Sequence, residues 1–82
     1  MNGLKETVKL MESDDFKERF QAEYYQTKIR RDKLHEILIK IQAGTLEFEP
    51  KCPIELLANQ ETAMSQYLTC LEIRAQIEGI EL

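Results

Sequence analysis

Tryptophan is absent from this chain of 82 residues, histidine occurs once, cysteine and proline twice each, and glycine three times. Each scarcity excludes something. Cys52 and Cys70 are too few for a disulfide scaffold and read as ordinary reduced thiols of an intracellular protein. His35 lies between Leu34 and Glu36 with no cysteine or second histidine at ligand spacing, so no metal site is expected. Cys70, set among Leu68 and Leu71, reads as core and not as a nucleophile. There is no P-loop, no GxGxxG and no GxSxG. The carboxylate pairs Asp14/Asp15 and Glu47/Glu49 read as a helix cap and a solvated loop. No catalytic residue and no cofactor are therefore expected, and the chain reads as a non-enzyme. No stretch is apolar enough for a bilayer span, and the opening MNGLKETVKLMESDD lacks the apolar core of a signal peptide. A cytoplasmic protein is expected, without membrane contact. A pI near 5.0 argues against general DNA binding, which needs a broad basic surface.

The few glycines and prolines divide the chain cleanly. Neither residue occurs between Asp15 and Ala43, so one uninterrupted helix over 15–43 is predicted, roughly 43 Å long. Phe16, Phe20, Tyr24, Thr27, Leu34, Leu38 and Ile41 recur on one face at helical steps. Ser13, Asp14 and Asp15 supply capping oxygens, Asp15 with Glu18 forms a capping box, and Gly44 suits a left-handed stop. A second helix, 53–78, is predicted to begin with Pro53 as its first residue and to end at Gly79. Along it Leu57, Met64 and Leu71 repeat every seven residues, with Gln60, Tyr67 and Arg74 as polar interruptions of the seam and Leu56, Ala63, Leu68 and Ala75 alongside. Residues 44–52 read as an extended connector whose Leu46 and Phe48 fold back over the helices. Residues 1–12 form a short helix with Leu4, Val8 and Met11 on one side, and 79–82 an apolar tail that packs on the body.

The fold expected is all-α and single-domain: a long antiparallel helical hairpin with a short N-terminal helix. So short a chain is marginal alone. Phe16, Phe20, Tyr25, Ile29, Ile37, Ile39, Ile73 and Ile77 spread too widely to be buried along one stripe. The hairpin is therefore expected to assemble into an oligomeric bundle, a dimer or larger.

Charge supplies the one functional signal. Lys17, Arg19, Lys28, Arg30, Arg31, Lys33 and Lys40 lie between Phe16 and Ala43 against four acids, so this segment is formally +3 and the remainder −7. Tyr24 and Tyr25 sit just before the densest part. Arginine forks and lysine hold phosphates, and tyrosine offers a face to a base. The candidate ligand-binding residues are Tyr24, Lys28, Arg30 and Arg31, joined across a subunit boundary by Arg19, Tyr67 and Arg74. The competing structural account pairs Arg19 and Arg30 with Glu23, Glu61 or Glu78, leaves Tyr24 half-buried, and gives Tyr67 and Arg74 the task of fixing helix register.

The runs DFKERFQAEYYQTKIRRDKL, AGTLEFEPKCPIELL and YLTCLEIRAQIEGIEL resemble a small family of all-helical phage and prophage proteins of Gram-positive gut bacteria, some associated with crAss-like phages. The likeness covers residues 15–82. It implies an accessory phage protein working in the host bacterial cytoplasm, and it carries no catalytic residues to transfer. In composition and architecture the chain is also similar to phage sponges, which withhold the nucleotide signals of CBASS or Thoeris defence from their effectors. The function so implied is anti-defence: sequestration of a cyclic oligonucleotide or ADP-ribose derivative without cleavage. Two alternatives stand beside it, a helical interaction module for a host or phage protein and a subunit of phage DNA-handling machinery.

Overall fold

The computed structural model describes residues 3–82. Helix is the regular structure among them: a 3₁₀ turn, Leu4–Thr7, leads into α1, Val8–Met11, followed by α2, Phe16–Ala43, and α3, Ile54–Glu78. The all-helical expectation is met. Residues 1–2, the start of the short helix expected over 1–12, lie outside the described residues.

The N-terminal segment turns a different side inward from the one expected. Val8 and Met11 are exposed, whereas Thr7 is fully buried and Leu4 and Leu10 are half-buried. Steps of three are the 3₁₀ period, and the opening 3₁₀ turn shifts the inward face onto Leu4, Thr7 and Leu10. The Thr7 hydroxyl donates to the Leu4 carbonyl at 2.6 Å and accepts from Gln26 Nε2 at 2.9 Å. Both needs of a buried hydroxyl are thereby met.

Asp15 caps α2, its carboxylate accepting from the Lys17 N–H at 3.0 Å. The capping box is rearranged: Glu18 accepts from the Ser13 hydroxyl, and that same oxygen accepts from the Asp15 N–H. Ser13 has displaced Glu18 as the partner of the cap residue's own amide. At the far end Gly44 adopts φ 74°, and the Thr45 N–H reaches back to the Lys40 carbonyl at 2.9 Å. A side chain would strain that left-handed turn.

Pro53 is the N-cap of α3 and not its first residue. Its ψ of 142° is extended, and its carbonyl accepts from the Leu56 and Leu57 N–H groups. The inward side of α3 runs Leu57, Glu61, Met64, Leu68, Leu71, Ala75, a regular 4-3-4-3-4 succession of buried and half-buried positions. Leu57, Met64 and Leu71 belong to the seam as expected, but Glu61, Leu68 and Ala75 fill the intervening places. Gln60, Tyr67 and Arg74 stand one residue away and are exposed. Cys70, expected in the core, is exposed too.

The buried cluster comprises Phe20 and Tyr24 of α2, Leu68, Leu71 and Ala75 of α3, and Ile80 of the tail, with Tyr25 packed against it. Each large apolar side chain so buried contributes about 1.5–3 kcal/mol. Gly79, at φ 70°, turns the chain so that the Ile80 N–H meets the Ala75 carbonyl at 2.9 Å. Ile80 enters the cluster as a result, while Leu82 stays partly exposed. Cross-helix partners descend along α3 and the tail as they ascend along α2: Gln21 with Glu81, Tyr24 with Glu72, Arg31 with Ser65, His35 with Glu61.

The connector departs from the strap expected. Leu46 is half-buried, but Phe48 is 59% exposed and does not fold over the helices. Between Tyr25 and Tyr67 no residue is fully buried. The body is long, 43 × 25 × 17 Å, with a radius of gyration of 14.9 Å against about 12 Å for a compact chain of this length.

Candidate functional site

The cationic side chains of α2 are largely engaged with the protein's own groups. Arg31 crosses between helices: Nη1 donates to Ser65 Oγ on α3 at 3.2 Å, and Nε donates to Asp32 Oδ1 at 2.9 Å. Lys28 Nζ lies 3.6 Å from the other Asp32 oxygen. One half-exposed carboxylate thus holds two cations of the candidate set. Ion pairs that open to solvent contribute little, about 0–1 kcal/mol. Both cations can therefore be released to an incoming anion at small cost. Arg30, 100° round the helix from Arg31, is exposed and has no hydrogen bond or ion pair among the described residues.

Tyr24 is placed differently from a stacking platform. Its ring is buried edge-on against Tyr25, with centroids 5.2 Å apart, and its hydroxyl donates to Glu72 Oε2 at 2.5 Å. Burial first, and then the hydrogen bond and charge of Glu72, push the phenol up to about 12. It remains a neutral donor fixed to its carboxylate.

The three residues expected from across a subunit boundary are separate from this group. The Arg19 guanidinium donates to the Ser13 carbonyl at 2.8 Å and secures the start of α2. Arg74 lies 5.0 Å over the Phe20 ring and donates to Glu78 Oε2 at 2.9 Å, so its apolar stem and charge roof the core. Tyr67 is partly exposed on α3. Within one chain, then, Tyr24, Lys28 and Arg31 share an edge of α2, while Arg19, Arg30, Tyr67 and Arg74 do not join them. The pairing of Arg19 and Arg30 with Glu23, Glu61 or Glu78 does not form either. Glu61 takes His35 Nδ1 at 3.3 Å and Glu78 takes Arg74.

A prominent open groove of about 1020 Å³ is not cationic. Tyr24, Glu72, Thr69, Gln76 and Glu81 line it with the Gly79–Ile80 turn, and no lysine or arginine does. Two carboxylates in a groove repel phosphate. Among the described residues no three His, Cys, Asp or Glu side chains gather as a metal would require, and no helix is long and apolar enough to cross a membrane.

Asp32, Ser65 and Glu72 are the partners that the sequence reading missed. Asp32 was accessible to it, lying one helical turn after Lys28. Ser65 and Glu72 were not, because they flank the seam only when its intervening places are Glu61, Leu68 and Ala75.

No curated protein and no solved structure matches the chain. One family does, over residues 14–77. That span opens at the Asp14–Asp15 cap and takes in all of α2, the connector and nearly all of α3. The cationic helix and the helix that holds it in place are thus matched as a unit, and the chain belongs to the Sequestin family.

Proposed function

We propose that this chain is a phage-encoded anti-defence protein of the host bacterial cytoplasm that sequesters a nucleotide immune signal without cleaving it. The observation that carries the reading is the Sequestin match itself, because it spans the cationic helix and its α3 support together. The family name speaks of sequestration, and a sequestering protein needs affinity without chemistry. The geometry supplies a means. Lys28 and Arg31 sit ready on a shared, half-exposed Asp32, and a phosphate of the signal replaces that carboxylate. Arg30, exposed on the adjacent face of α2, adds a third positive charge to the same stretch of helix. In this reading α2 and α3 act as an antiparallel hairpin, and hairpins assemble into an oligomeric bundle. Arg19, Tyr67 and Arg74, which lie apart from Lys28 and Arg31 within the chain, are then left to contacts between chains.

Calorimetric titration against cyclic dinucleotides, cyclic trinucleotides and cyclic ADP-ribose isomers tests this. One signal should bind and be recovered intact after the protein is heat-denatured. Arg31→Ala should weaken it by tens-fold, as expected for loss of a well-placed charged contact. Asp32→Asn should strengthen it by removing the internal competitor. No binding to any signal, or cleavage products on chromatography, overturns the proposal.

A second reading, an interaction module for a host or phage protein, draws on the connector end, where Ile39, Phe48, Ile54 and Leu56 are all exposed. Phe48→Glu would abolish such binding and leave nucleotide titrations unchanged.

A further inference from the structure

The outward side of α3 carries a second heptad succession. Beside the inward seam, and displaced from it by one residue, run Leu56, Gln60, Ala63, Tyr67, Cys70, Arg74 and Ile77, again in steps of four and three. All seven are exposed, Leu56 at 55% and Ile77 at 78%. A 4-3 stripe of this length is the pattern by which one helix seats against another.

Charge is sparse on this side, Arg74 being the one charged member of the stripe. About a third of the chain is charged, yet between Glu55 and Glu72 Glu61 alone bears a charge, and it faces α2, where it meets His35. Asn59, Gln60, Thr62, Gln66 and Thr69 leave the exterior neutral over some four turns. A solvated helix face has no reason to exclude charge, whereas the centre of a protein interface does.

The stripe is complementary to itself when reversed. Turned end for end about Tyr67, Leu56 comes level with Ile77, Ala63 with Cys70 and Gln60 with Arg74, each to within one residue. Apolar meets apolar, small meets small so that backbones approach closely, and an amide meets a guanidinium. That is the symmetry a two-fold interface between identical chains requires. The exposed area agrees. The chain exposes 6152 Å², against about 5,100 Å² expected of a folded monomer of 9.6 kDa. The excess of about 1,000 Å² is comparable with the roughly 800 Å² each partner buries in a standard interface.

We propose that a second copy of this chain docks on this stripe, α3 against α3, antiparallel, with Tyr67 of each copy at the two-fold axis. Arg74, lying over Phe20, joins the stripe to the exposed Phe16 at the start of α2, so the interface extends onto that edge. The proposal gives a surface to the assembly proposed above, yet it stands apart from the ligand: nucleotide titration can fail while the dimer holds, and the reverse.

Analytical ultracentrifugation at micromolar concentration should find twice 9.6 kDa. Ala63→Glu, a fully tolerable change on an exposed position of an isolated chain, should return the mass to 9.6 kDa while circular dichroism keeps its helicity. Disulfide trapping fixes the orientation in a Cys52→Ser background. Ala63→Cys should cross-link two chains through Cys70. Cys70 alone should not, because two copies of it stand about 9 Å apart along the axis, beyond the reach of a disulfide. Tyr67→Cys, with Cys70→Ser, should cross-link to itself. A monomer in the parent protein, a dimer untouched by Ala63→Glu, or cross-linking through Cys70 alone as readily as with Ala63→Cys would each overturn the proposal.

Discussion

The two ends of this molecule are built from the same two helices and are not equally finished. At the end where α2 begins, α2 meets three other elements. The N-terminal segment covers one side through Thr7 and Gln26, α3 covers another through Leu68, Leu71 and Ala75, and the tail closes the gap with Ile80. At the connector end α2 meets α3 alone. Ile29, Leu34, Ile37, Leu38, Ile41, Leu57 and Met64 are no more than half-buried there, and Ile39, Phe48, Ile54 and Leu56 are exposed. Apolar residues are as frequent at one end as at the other. A helix pair has one mutual stripe, and full burial begins only where a third element is added.

The comparison is broken most directly at Leu71, which is 1% exposed. Leu71→Ala should cost about 2–5 kcal/mol in urea unfolding, as core leucines do, and Leu57→Ala on the same seam less than half as much. Equal costs would show that the connector end is as well packed in solution as the other.

Glycine offers a second comparison, since Gly44 and Gly79 have nearly the same left-handed φ and nothing near enough to obstruct a methyl group. Gly79→Ala should cost about 1–2 kcal/mol from backbone strain, because alanine would have to hold the left-handed turn that brings Ile80 into the core. Gly44→Ala imposes similar strain on a turn that leads only to an exposed connector, which can relax, so the loss should be the smaller of the two. Thermal melts distinguish them.

Tyr24 sharpens the view of the closed end. Removal of its bond to Glu72 by Tyr24→Phe should cost about 1 kcal/mol. The pH dependence has a definite sign. The folded phenol titrates at about 12 and not at its ordinary 10.0, so folding favours the protonated form. Its stabilisation is complete below pH 10 and is lost as pH rises from 10 towards 12. Spectrophotometric titration should find a late phenol, and Tyr24→Phe should abolish it. The smallest effect belongs to the connector: Phe48→Ser should change the stability of the chain by no more than about 0.5 kcal/mol.

Local features of the chain were legible wherever short-range chemistry decides them. The absence of glycine and proline from 15–43 permits one helix there, Asp15 caps it, and Gly44 and Gly79 end the two long helices in left-handed turns. Misreadings occurred where two local patterns compete. On α3 two 4-3 successions lie side by side, one through Leu68 and Ala75 and one through Tyr67 and Arg74, and periodicity alone does not choose between them. Cys70 was placed in the core for the same reason. In the N-terminal segment the 3₁₀ turn replaced a period of 3.6 by one of three, and Val8 turned outward. The candidate site was legible as a composition, seven cations on one helix, but not as a constellation. Which of those cations meet depends on Asp32, Ser65 and Glu72, and the last two come from the facing helix.

The sequence by itself determined that this chain is helical, where its long helices stop, and that its positive charge is concentrated on α2, because capping, glycine conformation and charge are properties of neighbours along the chain. Only the tertiary structure decided which stripe of α3 faces α2, that Tyr24 is a buried donor and not an open platform, and that Arg31 bridges the helices while Arg30 is exposed. Those outcomes depend on the relative rotation of two helices. A turn of 100° exchanges one stripe for the next, and that angle is set by the packing of Phe20, Leu68, Leu71 and Ile80 together.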